Sequence, residues 1–189
     1  MSLNNWKSIF DGFEKFKVLI VGDAMIDAYM WGNINRQSPE APIPIVDITK
    51  HEKCLGGAAN VAINIKALGA EPILCSVIGN EKDAFYQLMK EEGLLTQGIL
   101  TDDRKTTIKT RVISEGKHQL RIDEEDVFPI KNEDNFIKNT IALMVDVDVI
   151  IFQDYNKGVL TEKVINELIN ESKRPVSYTH LTLPTSNGV

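Results

Sequence analysis

Cysteine is scarce in this sequence, whose 189 residues include only Cys54 and Cys75. Two isolated cysteines cannot build a disulfide framework or a cysteine-based metal cluster. We therefore expect two reduced thiols in a cytoplasmic protein, and we predict no metal site within the chain.

Long apolar runs and an excess of positive charge are also absent. No stretch reaches the roughly 20 apolar residues of a membrane-spanning helix, and the start Met-Ser-Leu-Asn-Asn-Trp lacks the basic segment and apolar core of a signal peptide. Lys and Arg number 21 against 27 Asp and Glu, for a net charge of −6. This balance argues against nucleic-acid and membrane partners but leaves room for a small phosphate pocket.

The glycine-rich nucleotide motifs are missing as well. The sequence contains neither GxxxxGK[ST] nor GxGxxG, the loops that hold phosphates in P-loop proteins and dinucleotides in Rossmann folds. No Ser/His/Asp or Cys/His arrangement of a nucleophilic enzyme stands out in residues 1–175. Without these motifs, we expect any ligand to be bound by polar side chains from separate parts of the chain.

Apolar runs of strand length alternate with helical patterns along the chain. Lys17–Gly22, Pro72–Ile78 and Val149–Phe152 are apolar on both faces, which is typical of strands in the middle of a covered parallel sheet. The alternation predicts one α/β domain of three layers with a largely parallel sheet. Helices are predicted at Ser8–Phe16, Gly57–Leu68, Asp83–Glu92, Asn132–Val145 and Thr161–Ser172.

Two polar regions interrupt this alternation. Residues Ala24–Ile48 contain three prolines and are predicted to be irregular, apart from a short half-exposed strand at Pro44–Ile48. Thr106–Ser114 and Gln119–Asp123 are strand-like runs around Glu115-Gly116-Lys117, and their spacing predicts a hairpin. We expect the polar strands to form a small separate sheet outside the main layer.

The last stretch of the chain changes character. Residues 176–189 contain no Lys, Arg, Asp or Glu, whereas the residues before them form a charged amphipathic helix. Residues 176–185 can be back-translated into the sequence of a transposon-type sequencing adapter. We therefore predict that residues 1–175 are natural, that 176–189 are a non-native tail, and that Ser177 and His180 are not catalytic. The alternative is a genuine peripheral strand and turn.

A carboxylate follows the first predicted strand, at the end where ligands bind in open α/β sheets. It is Asp27, in the segment Gly22-Asp23-Ala24-Met25-Ile26-Asp27. A carboxylate can accept hydrogen bonds from two neighbouring hydroxyl groups at once, which suits a vicinal diol. The alternative is that Asp23 or Asp27 only caps a turn.

Two glycines open the helix that is predicted at Gly57–Leu68. Gly56 and Gly57 carry no side chain, so a ligand can approach the backbone at the positive end of the helix dipole. Asn60 lies one turn further on, and its amide can both donate and accept hydrogen bonds. The same small residues could equally serve tight packing of the helix against the sheet.

Basic residues occur at two further places. Lys157 follows the predicted strand Val149–Phe152 and could meet a substrate phosphate. Lys109, Arg111 and Arg121 on the predicted hairpin could clamp a phosphate, since guanidinium groups bind it bidentately. The alternative is that all of them are solvated, and the acidic run at residues 123–126 is interpreted as a solvated surface.

Taken together, these segments resemble the ribokinase-like, or PfkB, carbohydrate kinases. The run from Gly56 to Ala62 is similar to that family's first signature, and Val77-Ile78-Gly79-Asn80-Glu81 is similar to its following V-G-x-D region. Within the family, the chain most resembles the kinases of D-glycero-β-D-manno-heptose 7-phosphate. That closer resemblance is carried by Gly22–Asp27, Trp31-Gly32, Arg36–Pro44, Thr106–Arg111, Gln119–Asp123 and Asp154–Gly158.

The resemblance implies a fold, a reaction and a set of contacts. The fold is an α/β sandwich with a β lid at about residues 33–48 and 106–123, through which homodimers form. The reaction is phosphorylation of the anomeric hydroxyl of heptose 7-phosphate by ATP with Mg²⁺, giving the 1,7-bisphosphate. The sugar hydroxyls would be held by Asp27, Gly56, Gly57 and Asn60, and the 7-phosphate by Arg111, Arg121 and Lys157.

One motif of the family is missing, the later Gly-Ala-Gly-Asp, whose Asp is the catalytic base and whose backbone N–H groups form an anion hole. We therefore assign no catalytic residue and expect this chain to bind the acceptor without kinase activity. Two alternatives remain: another kinase of the family, acting on ribose, fructose, a hexose phosphate or a nucleoside, and a non-catalytic sugar-binding module. A downstream Gly-Ala-Gly-Asp in the resequenced locus supports a kinase, and a natural stop near Pro175 supports a module.

Overall fold

The computed structural model of the chain describes residues 10–172 and 175–180. The strands are β1 (Lys17–Gly22), β2 (Ala24–Gln37), β3 (Pro44–Gly57), β4 (Glu71–Gly79), β5 (Ile99–Asp102), β6 (Ile108–Ser114), β7 (Lys117–Glu124), β8 (Val149–Asp154) and β9 (Val176–His180). The helices are α1 (Ala58–Ala67), α2 (Asp83–Glu91), α3 (Glu133–Leu143) and α4 (Glu162–Glu171). Five strands form a parallel main sheet in the order β5-β4-β1-β8-β9.

Strand β1 lies at the centre of the main sheet, between β4 and β8. Its side chains alternate between two hydrophobic cores: Val18 and Ile20 belong to one, and Leu19 and Val21 to the other. All four are at most 6% exposed. The run of apolar residues is explained by this position, since a central parallel strand is covered on both faces.

Helices cover both faces of the main sheet. On one face α1 contributes Ala59 and α2 contributes Phe85, and on the other α3 contributes Phe136 and α4 contributes Leu168. All four side chains have no exposed surface. The predicted three-layer α/β architecture is therefore confirmed.

A second sheet of four strands, called the lid sheet here, has the order β3-β2-β6-β7. Strands β6 and β7 form the hairpin that the sequence predicts. Glu115 and Gly116 connect them with φ angles of 52° and 72°, the two positive values that a type I′ hairpin turn requires. The polar strands thus lie outside the main layer, as expected.

The prediction that Ala24–Ile48 is irregular was wrong, although the short strand predicted within it at Pro44–Ile48 is confirmed as the first part of β3. The chain instead forms the long antiparallel pair β2 and β3, which runs from Ala24 opposite Gly57 to Gln37 opposite Pro44. The lid sheet is therefore larger than the predicted 33–48 and 106–123. Most of β3 is exposed, so it lacks the apolar pattern that identifies a strand in sequence.

The edge of the main sheet next to β8 is also different from the prediction. Val176–His180 pair with β8 as a parallel strand, with Ile150 opposite Val176, so these residues form the peripheral strand that is the alternative to an unstructured tail. Whether residues 176–189 are native is a separate question and stays a prediction. Residues 181–189 lie outside the described residues, as does part of the helix predicted at Ser8–Phe16, where the structure describes a 3₁₀ helix at Phe13–Lys15.

Cys54 is exposed, Cys75 is buried, and both are free. Burial raises the pKa of the Cys75 thiol to about 12, so this thiol is not reactive at neutral pH. Among the described helices, none has the length and apolar content that crossing a membrane requires.

Asp23 lies where the chain leaves β1 for the lid sheet, and it is 1% exposed. Its carboxylate accepts hydrogen bonds from the backbone N–H groups of Tyr155 (2.8 Å), Lys157 (3.1 Å) and Val159 (3.1 Å). Its carbonyl oxygen accepts from the N–H of Ala58 at the start of α1 (2.9 Å). Burial raises the pKa of Asp23, although the three N–H groups act to lower it. This one residue links the lid sheet, α1 and the loop after β8.

Replacing Asp23 with alanine is expected to destabilise the chain by roughly 3–5 kcal/mol, because three buried N–H groups lose their acceptor. The free energy of unfolding can be measured by urea titration with circular dichroism. Asp47→Ala, on the exposed part of β3, is the control and should cost no more than about 0.5 kcal/mol. Equal losses in the two variants would show that the Asp23 carboxylate does not hold the loop.

Removing residues 176–189 is expected to promote aggregation, because β8 then presents an unpaired strand edge. Size-exclusion chromatography with light scattering can compare this form with one that lacks only residues 181–189. The shorter deletion keeps β9 and should remain monodisperse. A monodisperse and cooperatively unfolding 1–175 chain would contradict the prediction.

Candidate functional site

A cavity of about 670 Å³ lies between the lid sheet and the loop after β8. Six of the seven site residues that the sequence predicts line it, and Gly56 lies directly beside one of them, Asp27. The lining residues are Met25, Asp27, Gly57, Asn60, Lys109, Arg111, Arg121, Asp123, Glu125, Val127, Tyr155, Asn156 and Lys157. The structure thus brings together residues from four separate segments of the chain.

Asp27 and Arg111 form an ion pair inside this cavity. Asp27 is on β2, Arg111 is on the neighbouring strand β6, and Nη1 of Arg111 donates to Oδ1 of Asp27 at 2.5 Å. The guanidinium also lies 5.4 Å from the centre of the Tyr29 ring. Burial acts to lower the pKa of Arg111, but the hydrogen bond and charge of Asp27 raise it above its ordinary value. The sequence predicted both residues in the site but not their pairing.

The two glycines explain how α1 can begin so close to Asp23 and Asp27. A Cβ atom at Gly56 would lie 2.4 Å from Oδ2 of Asp27, and one at Gly57, where φ is 58°, would lie 2.3 Å from the carbonyl oxygen of Asp23. Any side chain at either position would therefore displace an aspartate. Close packing is one reason for the glycines, and Gly57 also lines the cavity beside the exposed Asn60.

Glu125 joins the two lysines of the cavity. Its carboxylate accepts hydrogen bonds from Nζ of Lys109 at 2.9 Å and from Nζ of Lys157 at 2.8 Å. The side chains of the three residues are only 14–21% exposed. Burial acts to raise the pKa of Glu125, but the two lysines lower it below its ordinary value.

The interpretation of residues 123–126 as a solvated surface was therefore wrong for Glu125, although Glu124 is exposed. Asp123 also lines the cavity, where it contacts Lys109 at 3.1 Å and Arg121 at 2.8 Å. Sequence reasoning missed both acidic residues. Period-two alternation along the predicted hairpin could have indicated them, because it places Arg121, Asp123 and Glu125 on one face.

Charges of both signs meet in this site. Four basic side chains line the cavity together with three carboxylates, and every basic side chain contacts a carboxylate. Arg121 is at the rim, with 58% of its side chain exposed. Such a site can bind a ligand that carries both hydroxyl and anionic groups. Within the described residues, no cluster of three His, Cys, Asp or Glu side chains is placed to hold a metal ion.

A family model described as pfkB family carbohydrate kinase matches residues 15–181. Among curated proteins, the bifunctional protein HldE of Helicobacter pylori is 37% identical over 192 residues, which cover 90% of this chain and 41% of that protein. HldE of Desulfatibacillum aliphaticivorans is 42% identical over 164 residues, which cover 82% and 33%. The chain therefore spans less than half the length of these relatives.

Solved structures with low sequence identity share the fold. A ribokinase from Thermotoga maritima matches with a TM-score of 0.60 at 14% identity, covering 86% of this chain and 52% of that one. A carbohydrate kinase from Agrobacterium tumefaciens matches with a TM-score of 0.63 at 18% identity, covering 86% and 53%. These likenesses confirm the predicted ribokinase-like fold. Because the family model covers most of the sequence, the chain belongs to the pfkB family of carbohydrate kinases.

Proposed function

We propose that this chain is the acceptor-binding part of a kinase that phosphorylates the anomeric hydroxyl of D-glycero-β-D-manno-heptose 7-phosphate. The product would be the 1,7-bisphosphate, an intermediate of ADP-heptose and lipopolysaccharide core synthesis. The observation that carries the proposal is that one cavity is lined by Asp27 and Asn60, which are suited to bind hydroxyl groups, and by Lys109, Arg111 and Lys157, which are suited to bind phosphate. A sugar phosphate needs both.

The sugar would lie against Asp27 and the start of α1. Arg111 occupies one oxygen of the Asp27 carboxylate, and an ionised carboxylate has further lone pairs for sugar hydroxyls. The ion pair also fixes the orientation of the carboxylate before a ligand arrives, which lowers the entropy cost of binding. Asn60 and the backbone at Gly56 and Gly57 would complete the hydroxyl contacts.

The phosphate of the acceptor would lie towards the lysines and arginines. Lys157 comes from the loop after β8, whereas Arg111 and Arg121 come from the lid sheet. A ligand that contacts both parts holds the lid sheet over the site. This arrangement favours a phosphorylated sugar over a neutral one.

ATP and Mg²⁺ are expected as cofactors of the complete kinase. The described residues do not provide a cluster of metal ligands, and the sequence has no Gly-Ala-Gly-Asp. No step of phosphoryl transfer is therefore assigned to a residue of this chain. Its residues bind and orient the acceptor, and positioning is a large part of catalysis in phosphoryl transfer.

The heptose assignment has two supports. First, the curated relatives are HldE proteins. Second, the resemblance to heptose 7-phosphate kinases is carried in part by the segment Arg36–Pro44. This segment contains the turn between β2 and β3 at the end of the lid sheet. Variation in a lid can change the acceptor without changing the fold. Other acceptors of the family stay the alternative.

We also propose that the complete enzyme forms homodimers through the lid sheet. Large apolar side chains of this sheet and its turn are 36–57% exposed, namely Trp31, Ile43, Ile48, Leu120 and Ile122. Contiguous exposed apolar patches mark interaction surfaces, and we expect some of these residues to belong to such a patch in the complete enzyme. Sedimentation equilibrium should give twice the chain mass for the complete protein. A monomer at high concentration would exclude lid-mediated dimers.

In a longer parent protein that also carries the Gly-Ala-Gly-Asp motif, Asp27→Ala is expected to lower kcat/KM for heptose 7-phosphate by roughly tenfold to a hundredfold. The reason is that a hydrogen bond to a charged acceptor contributes about 1.5–3 kcal/mol. The affinity for ATP should hardly change. Steady-state kinetics with varied acceptor and varied ATP measures both effects.

Two controls accompany this measurement. Asp47→Ala, an exposed change on the lid sheet, should keep the natural kcat/KM. The 189-residue chain alone should show no ATP turnover above a blank without enzyme. Natural kcat/KM in a correctly folded Asp27→Ala variant would show that Asp27 serves only the ion pair with Arg111. Turnover by the 189-residue chain would refute our expectation that its residues bind the acceptor without kinase activity.

A further inference from the structure

Glu125 occupies the space between two lysines that belong to different parts of the molecule. Lys109 is on β6 of the lid sheet, and Lys157 is in the loop after β8. The carboxylate of Glu125 lies 2.9 Å from one ammonium group and 2.8 Å from the other. It therefore connects the lid sheet to the main part of the fold across the cavity.

This carboxylate has the contacts that a phosphate group would need. Two ammonium groups converge on one anion, and the three side chains are 14–21% exposed, so the interaction is only partly screened by water. The lysines keep the pKa of Glu125 below its ordinary value. Glu125 is thus a negative charge at neutral pH, in the place where an anionic ligand would make the same contacts.

The lysine of the main part has a fixed backbone. The N–H of Lys157 donates to Asp23 at 3.1 Å, and its carbonyl accepts a hydrogen bond from Arg104, which also donates to the carbonyl of Asp126. Glu125 lies just beyond the end of β7 at Glu124, next to Asp126, whose carbonyl oxygen accepts from Arg104. The side chain of Glu125 can therefore rotate away from the two lysines without breaking any strand pairing.

We propose that Glu125 is a displaceable counter-ion that sets the specificity of the site for phosphorylated sugars. In the free protein it holds Lys109 and Lys157 in position. When the acceptor binds, its phosphomonoester group replaces the Glu125 carboxylate as the partner of both lysines. A dianion can compete with one carboxylate for two ammonium groups, whereas a neutral sugar cannot. The identity of the ligand rests on the proposed function, but the displacement does not.

The test is the binding of inorganic phosphate to the 189-residue chain, measured by isothermal titration calorimetry. Glu125→Gln keeps the length of the side chain and removes the competing charge. We expect phosphate to bind about tenfold more tightly to this variant, which corresponds to about 1.4 kcal/mol. Glu124→Gln removes the same charge from the neighbouring exposed residue and should leave the affinity within about twofold of the natural value.

A second variant covers the case in which Glu125→Gln does not fold. Glu125→Asp keeps the charge but shortens the side chain, so it cannot bridge the two lysines, and phosphate should again bind more tightly than to the natural chain. Weaker or unchanged phosphate affinity in the folded variants would overturn the proposal, because Glu125 would then support the anion site instead of competing for it.

Two further ligands identify the source of the phosphate. Heptose 7-phosphate should gain affinity in Glu125→Gln as inorganic phosphate does, whereas ATP should not. If ATP gained the same affinity in Glu125→Gln, the proposal that the two lysines bind the phosphate of the acceptor would be overturned. Failure of the proposed function would appear elsewhere, as a parent protein that does not phosphorylate heptose 7-phosphate while the phosphate result with this chain still holds.

Discussion

The geometry of the cavity depends on one buried carboxylate. Asp23 stands where β1 ends and β2 begins, and it accepts hydrogen bonds from three N–H groups of the loop after β8. Its carbonyl oxygen also receives the first N–H of α1. Three backbone segments that are distant in sequence are thereby held around the same space. A buried carboxylate of this kind is stable because three N–H groups replace the hydrogen bonds that it loses to water.

Around this centre, the cavity is built from charges that neutralise one another before any ligand binds. Arg111 pairs with Asp27, and Glu125 pairs with Lys109 and Lys157. Paired charges tolerate partial burial, whereas single charges do not. The pairing keeps the site stable without a ligand, and in our proposal an anion binds by exchange of partners.

The lid sheet shows where sequence reasoning reached its limit. The hairpin of β6 and β7 was predictable, because Glu115-Gly116 is a turn between two strand-like runs. Strand β2 and most of β3 were not, since β2 shows no regular alternation of apolar and polar residues and most of β3 beyond Pro44–Ile48 is exposed. These strands form because β2 pairs with β3 and also with β6. The pairing of β2 with β6 joins distant segments, and such pairing leaves no local pattern in the sequence.

The sequence by itself determined the three central strands of the main sheet, β4, β1 and β8, and most members of the candidate site. Strands such as β1 must be apolar on both faces when helices cover both sides, so their apolar composition alone indicates that they are buried. Residues such as Asp27 and Lys157 were indicated because they follow strands at the end where ligands bind. Only the tertiary structure decided the partners: Asp27 meets Arg111 84 residues away, and Glu125 turns into the cavity rather than to solvent. These contacts depend on strand register and loop position, because a shift of one residue would move each side chain to the opposite face.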